Sequence, residues 1–296
     1  MPESFDSSSC ATIHLNLDDA WPVGELGLRS VDAREWGPKL RFCAPARLIE
    51  EFFAEIETKL APFVVYGSGD FHHLSALWIR RVREPVAVVS FDNHPDWDVR
   101  PPWWSCGAWV NRALELPQVQ SAHVWGCGNF ECWWPTQFFG NRRAEREGKL
   151  AVHPWADDRA EKDHSRRGVI FRATWREEFG RFVRGIAGAA TYITVDIDCL
   201  RPEDAATNWE NGKFSAEDVS WAIALLREQT RVVGGDLCGA FSEQKYARAG
   251  QRFVAKIDHP KSPPWDVAEA QTANRATLDK LWPVLANTPL KARPNS

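Results

Sequence analysis

Short apolar runs rich in β-branched residues recur along the chain, separated by stretches with helical spacing of apolar positions. The runs "TIHLNL" (12–17), "FVVYG" (63–67), "VAVVSF" (86–91), "AHVWG" (122–126), "VIF" (169–171), "TYITVD" (191–196) and "VVGGD" (232–236) predict strands. Most are continuous rather than alternating, which fits burial on both faces. Between them, "ARLIEEFFAEIETKL" (46–60) and "SAEDVSWAIALLREQ" (215–229) predict amphipathic helices. Ser215, with Asp218 three residues on, marks the start of the second one. Strands alternating with helices predict an α/β fold whose parallel sheet is covered by helices on both faces. No repeat, linker or low-complexity block interrupts the pattern, so one domain is expected over 1–296, with a loose tail at 287–296.

Composition narrows the function classes. Of the 296 residues, 44% are hydrophobic and 26% charged, with a net charge of -4, so nothing points to a nucleic-acid partner. No stretch approaches the roughly 18 apolar residues of a membrane span, and the first twenty residues lack a basic leader followed by an apolar run. A soluble cytoplasmic protein with reduced cysteines is expected. The seven cysteines show no second pair near "CGNFEC" (127–132) that could complete a zinc knuckle. Sixteen tryptophans accompany a single methionine. They suit either core filling or an aromatic wall around an organic cation.

Charged residues gather where strands end. "VAVVSF" runs into "DNHPD", which places Asp92, His94 and Asp96 at alternate positions. Pro95 excludes a helix there, and an extended segment would turn all three side chains to one side. "TYITVD" runs into Asp196 and Asp198. "VVYGSGDFHHLS" (64–75) is a strand, a glycine turn and a helix start, carrying Asp70, His72 and His73. Unpaired carboxylates at buried strand ends are costly, and divalent cations remove the cost. The donors exceed one octahedral site, so two ions bridged by shared carboxylates are expected. Carboxylate with some imidazole suits Mn²⁺ better than Zn²⁺, and no thiolate is required.

In order and spacing, "GSGDFHHLS", "FDNHPD" and "TVDIDCLRPED" resemble the motifs of the arginase/agmatinase (ureohydrolase) family, over roughly residues 63–240. The resemblance implies a three-layer α/β/α domain around an eight-stranded, mostly parallel sheet. It also implies two Mn²⁺ ions per chain, other divalent metals being admissible. Asp92 and Asp196 would bridge them, Asp96 and His72 (or His73) would complete one site, and His94 and Asp198 the other. The implied reaction is hydrolysis of a guanidino group to urea and an amine, with Asp96 or Asp198 relaying the proton.

The chain also departs from the family pattern. Phe71 is an extra residue in the first motif, Cys106-Gly107 replaces a His-Gly, Gly239 stands where a glutamate is usual, and Arg201 replaces a late aspartate. Glu243 or Asp236 is expected to take over the missing carboxylate's contact with substrate, with Trp104 and Cys106 lining the mouth. These features resemble a divergent branch that includes the peptide arginases. The substrate is therefore expected to be a small guanidino compound or an arginine-containing peptide, with self-association left open. The competing expectations are a single-metal deacetylase-like amidohydrolase and a metal-binding protein of this fold without turnover.

Overall fold

The structure is a computed structural model that describes residues 11–24, 26–260 and 265–288. Only Asn287 and Thr288 of the tail expected to be loose are among them, and Cys10 lies outside the described residues.

Eight strands form one sheet: β1 (Thr12–Asn16), β2 (Arg29–Asp32), β3 (Phe63–Tyr66), β4 (Val86–Phe91), β5 (Val119–Cys127), β6 (Leu150–Pro154), β7 (Ala190–Asp196) and β8 (Arg231–Cys238). Their order is β2-β1-β3-β8-β7-β4-β5-β6, and every pairing is parallel. Alternate residues of the central strands feed two separate cores. Val64 and Tyr66 of β3, Val88 of β4 and Tyr192 of β7 face the helices Ala46–Ile56, Ser75–Ile79 and Trp109–Leu114. Val65, Val89, Phe91, Ile193 and Val195 face Trp175–Gly185, Ala216–Gln229 and Val267–Ala286. The expected three-layer α/β/α arrangement is therefore present, built by apolar runs with two buried faces.

The element pattern differs from expectation at the sheet edges. β2, a polar and largely exposed edge strand, and β6, at the opposite edge, carry too little apolar pattern to predict. "VIF" (169–171) is not a strand: Ile170 makes one isolated parallel bridge to Trp155, just beyond β6. Gly168, at a φ of 84°, turns the chain into this bridge, and the segment soon leads into the helix at Trp175. The helix expected over 46–60 ends at Ile56 and continues as a 3₁₀ turn, Glu57–Lys59.

The capping box at Ser215 is formed in both directions. The Ser215 hydroxyl accepts from the Asp218 N–H, and the Asp218 carboxylate accepts from the Ser215 N–H. Replacing Ser215 with alanine is expected to lower stability by about 1 kcal/mol. A reduced urea midpoint with an unchanged denaturant slope checks it.

Candidate metal centre

The centre stands above four neighbouring strand ends, those of β3, β8, β7 and β4. Such carboxyl ends are where parallel α/β sheets place ligands. Pairing of Phe91 with Val195 sets Asp92 and Asp196 side by side, one residue further along. Asp196 in turn pairs in register with Cys238 of β8. After β3 the chain turns through Gly67, Ser68 and Gly69 into a 3₁₀ helix, Gly69–Leu74, that carries His72 over the sheet. The tighter winding of this helix, three residues per turn, accommodates the extra Phe71.

His72 Nδ1 lies 3.0 Å from Asp92 Oδ2, 3.3 Å from Asp96 Oδ2 and 3.6 Å from Asp196 Oδ2. Its other nitrogen is 2.9 Å from the Thr194 hydroxyl, which fixes the ring. His94 Nδ1 lies 2.9 Å from Asp198 Oδ2 and 3.7 Å from Asp92 Oδ1. Two donor groups result, His72/Asp92/Asp96 and Asp92/His94/Asp198, with Asp92 common to both. These groups hold five of the six residues that the sequence offered as ligands, with His72 rather than His73, and the sixth, Asp196, stands 3.6 Å from His72. His73 is fully buried, neither ring nitrogen is hydrogen-bonded, and burial pushes it down to about 3.

The convergence is not made by an extended segment. Asp92 Oδ1 accepts from the His94 N–H at 2.7 Å, which bends the chain, and Asp96 adopts a φ of 46°. A left-handed aspartate is uncommon, and such backbone is characteristic of functional sites. Trp109 Nε1 donates to Asp96 Oδ2 at 2.7 Å and holds that carboxylate in place.

The electrostatics call for positive charge. Burial raises Asp96 and Asp196 well above the carboxylate range, and the neighbouring charges of Asp92 and Asp198 add to it. Burial opposes protonation of His72 and His94, but the carboxylates around them override it and raise both well above the usual imidazole value. Within this crowd His72 Nδ1 and Asp92 Oδ2 are buried and make no hydrogen bond. Orphaned donors of both kinds, in a mixed carboxylate and imidazole set, fit divalent cations. Because an imidazole binds metal only when unprotonated, binding must expel protons. The apparent Mn²⁺ affinity is therefore expected to rise with pH above the ordinary imidazole range. Calorimetry in two buffers of different ionisation enthalpy measures the released protons.

Two glycines make room for Asp196. A Cβ on Gly69 would stand 2.7 Å from Asp196 Oδ2, and one on Gly239 would stand 2.1 Å from Asp196 Oδ1. Gly239 also has a φ of 104°, which a side chain would resist. Gly239→Ala is expected to cost at least about 1 kcal/mol and to weaken Mn²⁺ binding by about tenfold or more. Metal titration of the folded variant checks the second effect.

A small pocket opens over the centre, lined by Asp92, Asp96, Asp196, Asp198, Cys106, Trp209, Glu131 and Asp258, among others. Three expected substrate contacts are elsewhere. Glu243 is 70% exposed and pairs with Lys245. Asp236 is buried beneath the site, accepting from the hydroxyls of Tyr66, Tyr192, Thr194 and Ser75, so it has no face left for a ligand. Trp104 is a half-buried loop residue packed against one core. Cys106 does line the pocket, whereas Arg201 points outward to Asp204. His123 stacks on His153, within the sheet layer.

Glu131, Trp209 and Asp258 were not predicted as site residues. Glu131 lies on a 3₁₀ turn, Phe130–Cys132, after β5, Trp209 on a loop and Asp258 at the end of the helix Ala249–Asp258, and none belongs to a motif that marks it. Burial pushes Glu131 up to about 7, against the pull of His94. Trp209 meets His94 edge-on and His259 at 4.3 Å, and donates its Nε1–H to Asp70. Asp70 is not a ligand: it pairs with the buried Arg41 at 2.6 Å and with His259 at 3.2 Å.

No protein-family model matches the sequence. An uncharacterized protein of Thermotoga maritima is 26% identical over 176 residues, which span 58% of this chain and 55% of that protein. The chain thus matches only about half the length of this relative. Among solved structures, formimidoylglutamase from Bacillus subtilis superposes with a TM-score of 0.55 and 13% identity, covering 93% of this chain and 85% of the other. Proclavaminate amidino hydrolase from Streptomyces clavuligerus gives 0.54 at 12% identity over 94% and 92%. Arginase from Medicago truncatula gives 0.52 at 13% over 93% and 85%. At such identities the likeness establishes the fold.

Proposed function

We propose, from the premise that the chain has the arginase-like fold, that it is a dinuclear-metal hydrolase cleaving a guanidino group to urea and an amine. The observation that carries this reading is the pair of donor groups sharing Asp92 at the strand ends. His72 and Asp96 would hold one ion, His94 and Asp198 the other, with Asp92 and Asp196 between them. Two divalent cations, Mn²⁺ foremost, would supply a hydroxide nucleophile near neutral pH and steady the charge that develops on the attacked guanidino group.

The rest falls to the chain's own groups. Asp96 Oδ2 is fixed by Trp109, while Oδ1 makes no hydrogen bond to the described residues. Oδ1 takes the proton and passes it to the leaving amine. Asp198 is less free, since Oδ1 accepts from the Asn93 N–H and Oδ2 faces His94. The substrate cation is received by Glu131, Asp258 and the Trp209 face. A second, roomier cavity shares Glu131 and Asp258 with the first and is lined by Trp97, Phe130 and Phe139. It offers room for a chain beyond the guanidino group, which favours arginine within a peptide over the free amino acid.

Urea release by the Mn²⁺-loaded protein tests the reading, using arginine, agmatine, other guanidino compounds and arginine-containing peptides. Turnover that is fastest with a peptide is expected. No urea from any of them contradicts it.

A further inference from the structure

The residue beside Asp196 has no role in the site as described so far. Cys238 ends β8 in register with Asp196, so the two side chains rise on the same side of the sheet. Its thiol is fully buried, with Sγ 3.6 Å from Asp196 Oδ2. His72 Nδ1, Asp196 and Cys238 Sγ form a third group of donors, with ligand atoms all within 4.8 Å of one another. Donors at about 2.0–2.3 Å from one ion stand up to roughly 4.4 Å apart, so small side-chain shifts close this group on a shared ion. His72, which this group shares with Asp92 and Asp96, is 1% exposed, and its Nδ1 makes no hydrogen bond and stands 3.6 Å from Asp196 Oδ2.

We propose that Cys238 is a sulfur ligand on the His72 side of the centre, giving one of its two ions a thiolate and a preference for softer divalent metals than Mn²⁺. The inference rests on the dinuclear reading above and deepens it. Gly239 makes the approach feasible, because directly after Cys238 the chain turns at a positive φ and leaves the Asp196 carboxylate uncovered. A merely packed cysteine is a small hydrophobe that any similar side chain could replace. A thiolate instead shifts the selectivity of an otherwise oxygen and nitrogen site toward Zn²⁺, Co²⁺ or Fe²⁺.

Cobalt titration of the metal-free full chain reads this directly. The expected result is two Co²⁺ per chain and a near-ultraviolet thiolate-to-cobalt charge-transfer band. The band should vanish in Cys238→Ser and persist in Cys106→Ser, Cys106 being the thiol that lines the pocket. Two Co²⁺ with no such band, or a band unchanged in Cys238→Ser, overturns the thiolate ligand and leaves the dinuclear reading intact. A folded protein that takes up no Co²⁺ overturns both. If Cys238→Ser does not fold, X-ray absorption of the Zn²⁺-loaded Cys106→Ser protein decides. A sulfur scatterer near 2.3 Å is then expected, and a first shell of oxygen and nitrogen alone overturns the proposal.

Discussion

Asp92→Asn removes metal binding and urea release together. Asp92 is the residue common to both donor groups, with Oδ2 toward His72 and Oδ1 toward His94. It is also the one carboxylate of the four held below the usual range, because the imidazoles on either side outweigh the cost of burial. It is therefore the anion most available to two cations at once. An amide keeps the shape and one acceptor but loses the charge. The loss in Mn²⁺ affinity is expected to exceed the roughly 10–100-fold that follows loss of an outer hydrogen-bond partner. Activity should fall with occupancy. Metal analysis of the purified variant beside its urea assay checks both. A variant that keeps both ions and loses only turnover would place Asp92 outside the bridge.

Arg41→Met costs about 3–5 kcal/mol of stability. The Arg41 guanidinium is 1% exposed and gathers three loops at the strand ends. It donates to Asp70 at 2.6 Å, Ser68 at 3.1 Å, Ser242 at 2.9 Å and the Glu243 carbonyl at 3.0 Å, with Asp18 at 3.4 Å. Ser242 also donates to Asp18. Burial alone would raise Asp70, yet Arg41 and His259 hold it well below the carboxylate range. Removing the cation leaves Asp70 and Asp18 buried without it, the costly way to break an ion pair. Lysine should not rescue, because a point charge cannot replace a planar fork with several partners. Adding Asp70→Asn to Arg41→Met should recover part of the loss. Denaturant unfolding measures it, and a loss below about 1 kcal/mol would equate the network with a surface pair.

How much of this the sequence reveals depends on where a residue sits. Of the strands that build the site, β3, β4 and β7 are buried throughout and β8 from Gly234 on, and each is readable from the sequence. The candidate ligands Asp92, His94, Asp96, Asp196 and Asp198 come at or just past the ends of β4 and β7, and His72 comes in the 3₁₀ helix after β3, so all six are readable as well. Edge strand β2 is polar and leaves little trace. The pocket wall is harder still. Glu131, Trp209 and Asp258 come from a 3₁₀ turn, a loop and a helix end, and only the folded chain brings them to one mouth. Glu243 and Asp236 fail for a related reason. Sequence distance from the strand end does not say that Glu243 turns out to Lys245, or that four hydroxyls already occupy Asp236. The bend at Asp92 and the left-handed Asp96 also escape, since Pro95 reads as extended chain.

The central claim is a centre for two ions joined through Asp92. Its most direct test is the metal content of the full chain after loading with Mn²⁺ and removal of free metal, measured beside protein concentration. Two ions per chain, falling together in Asp92→Asn, is the predicted result. A single ion per chain that survives loss of His94 would contradict it and turn the account toward single-metal amide hydrolysis.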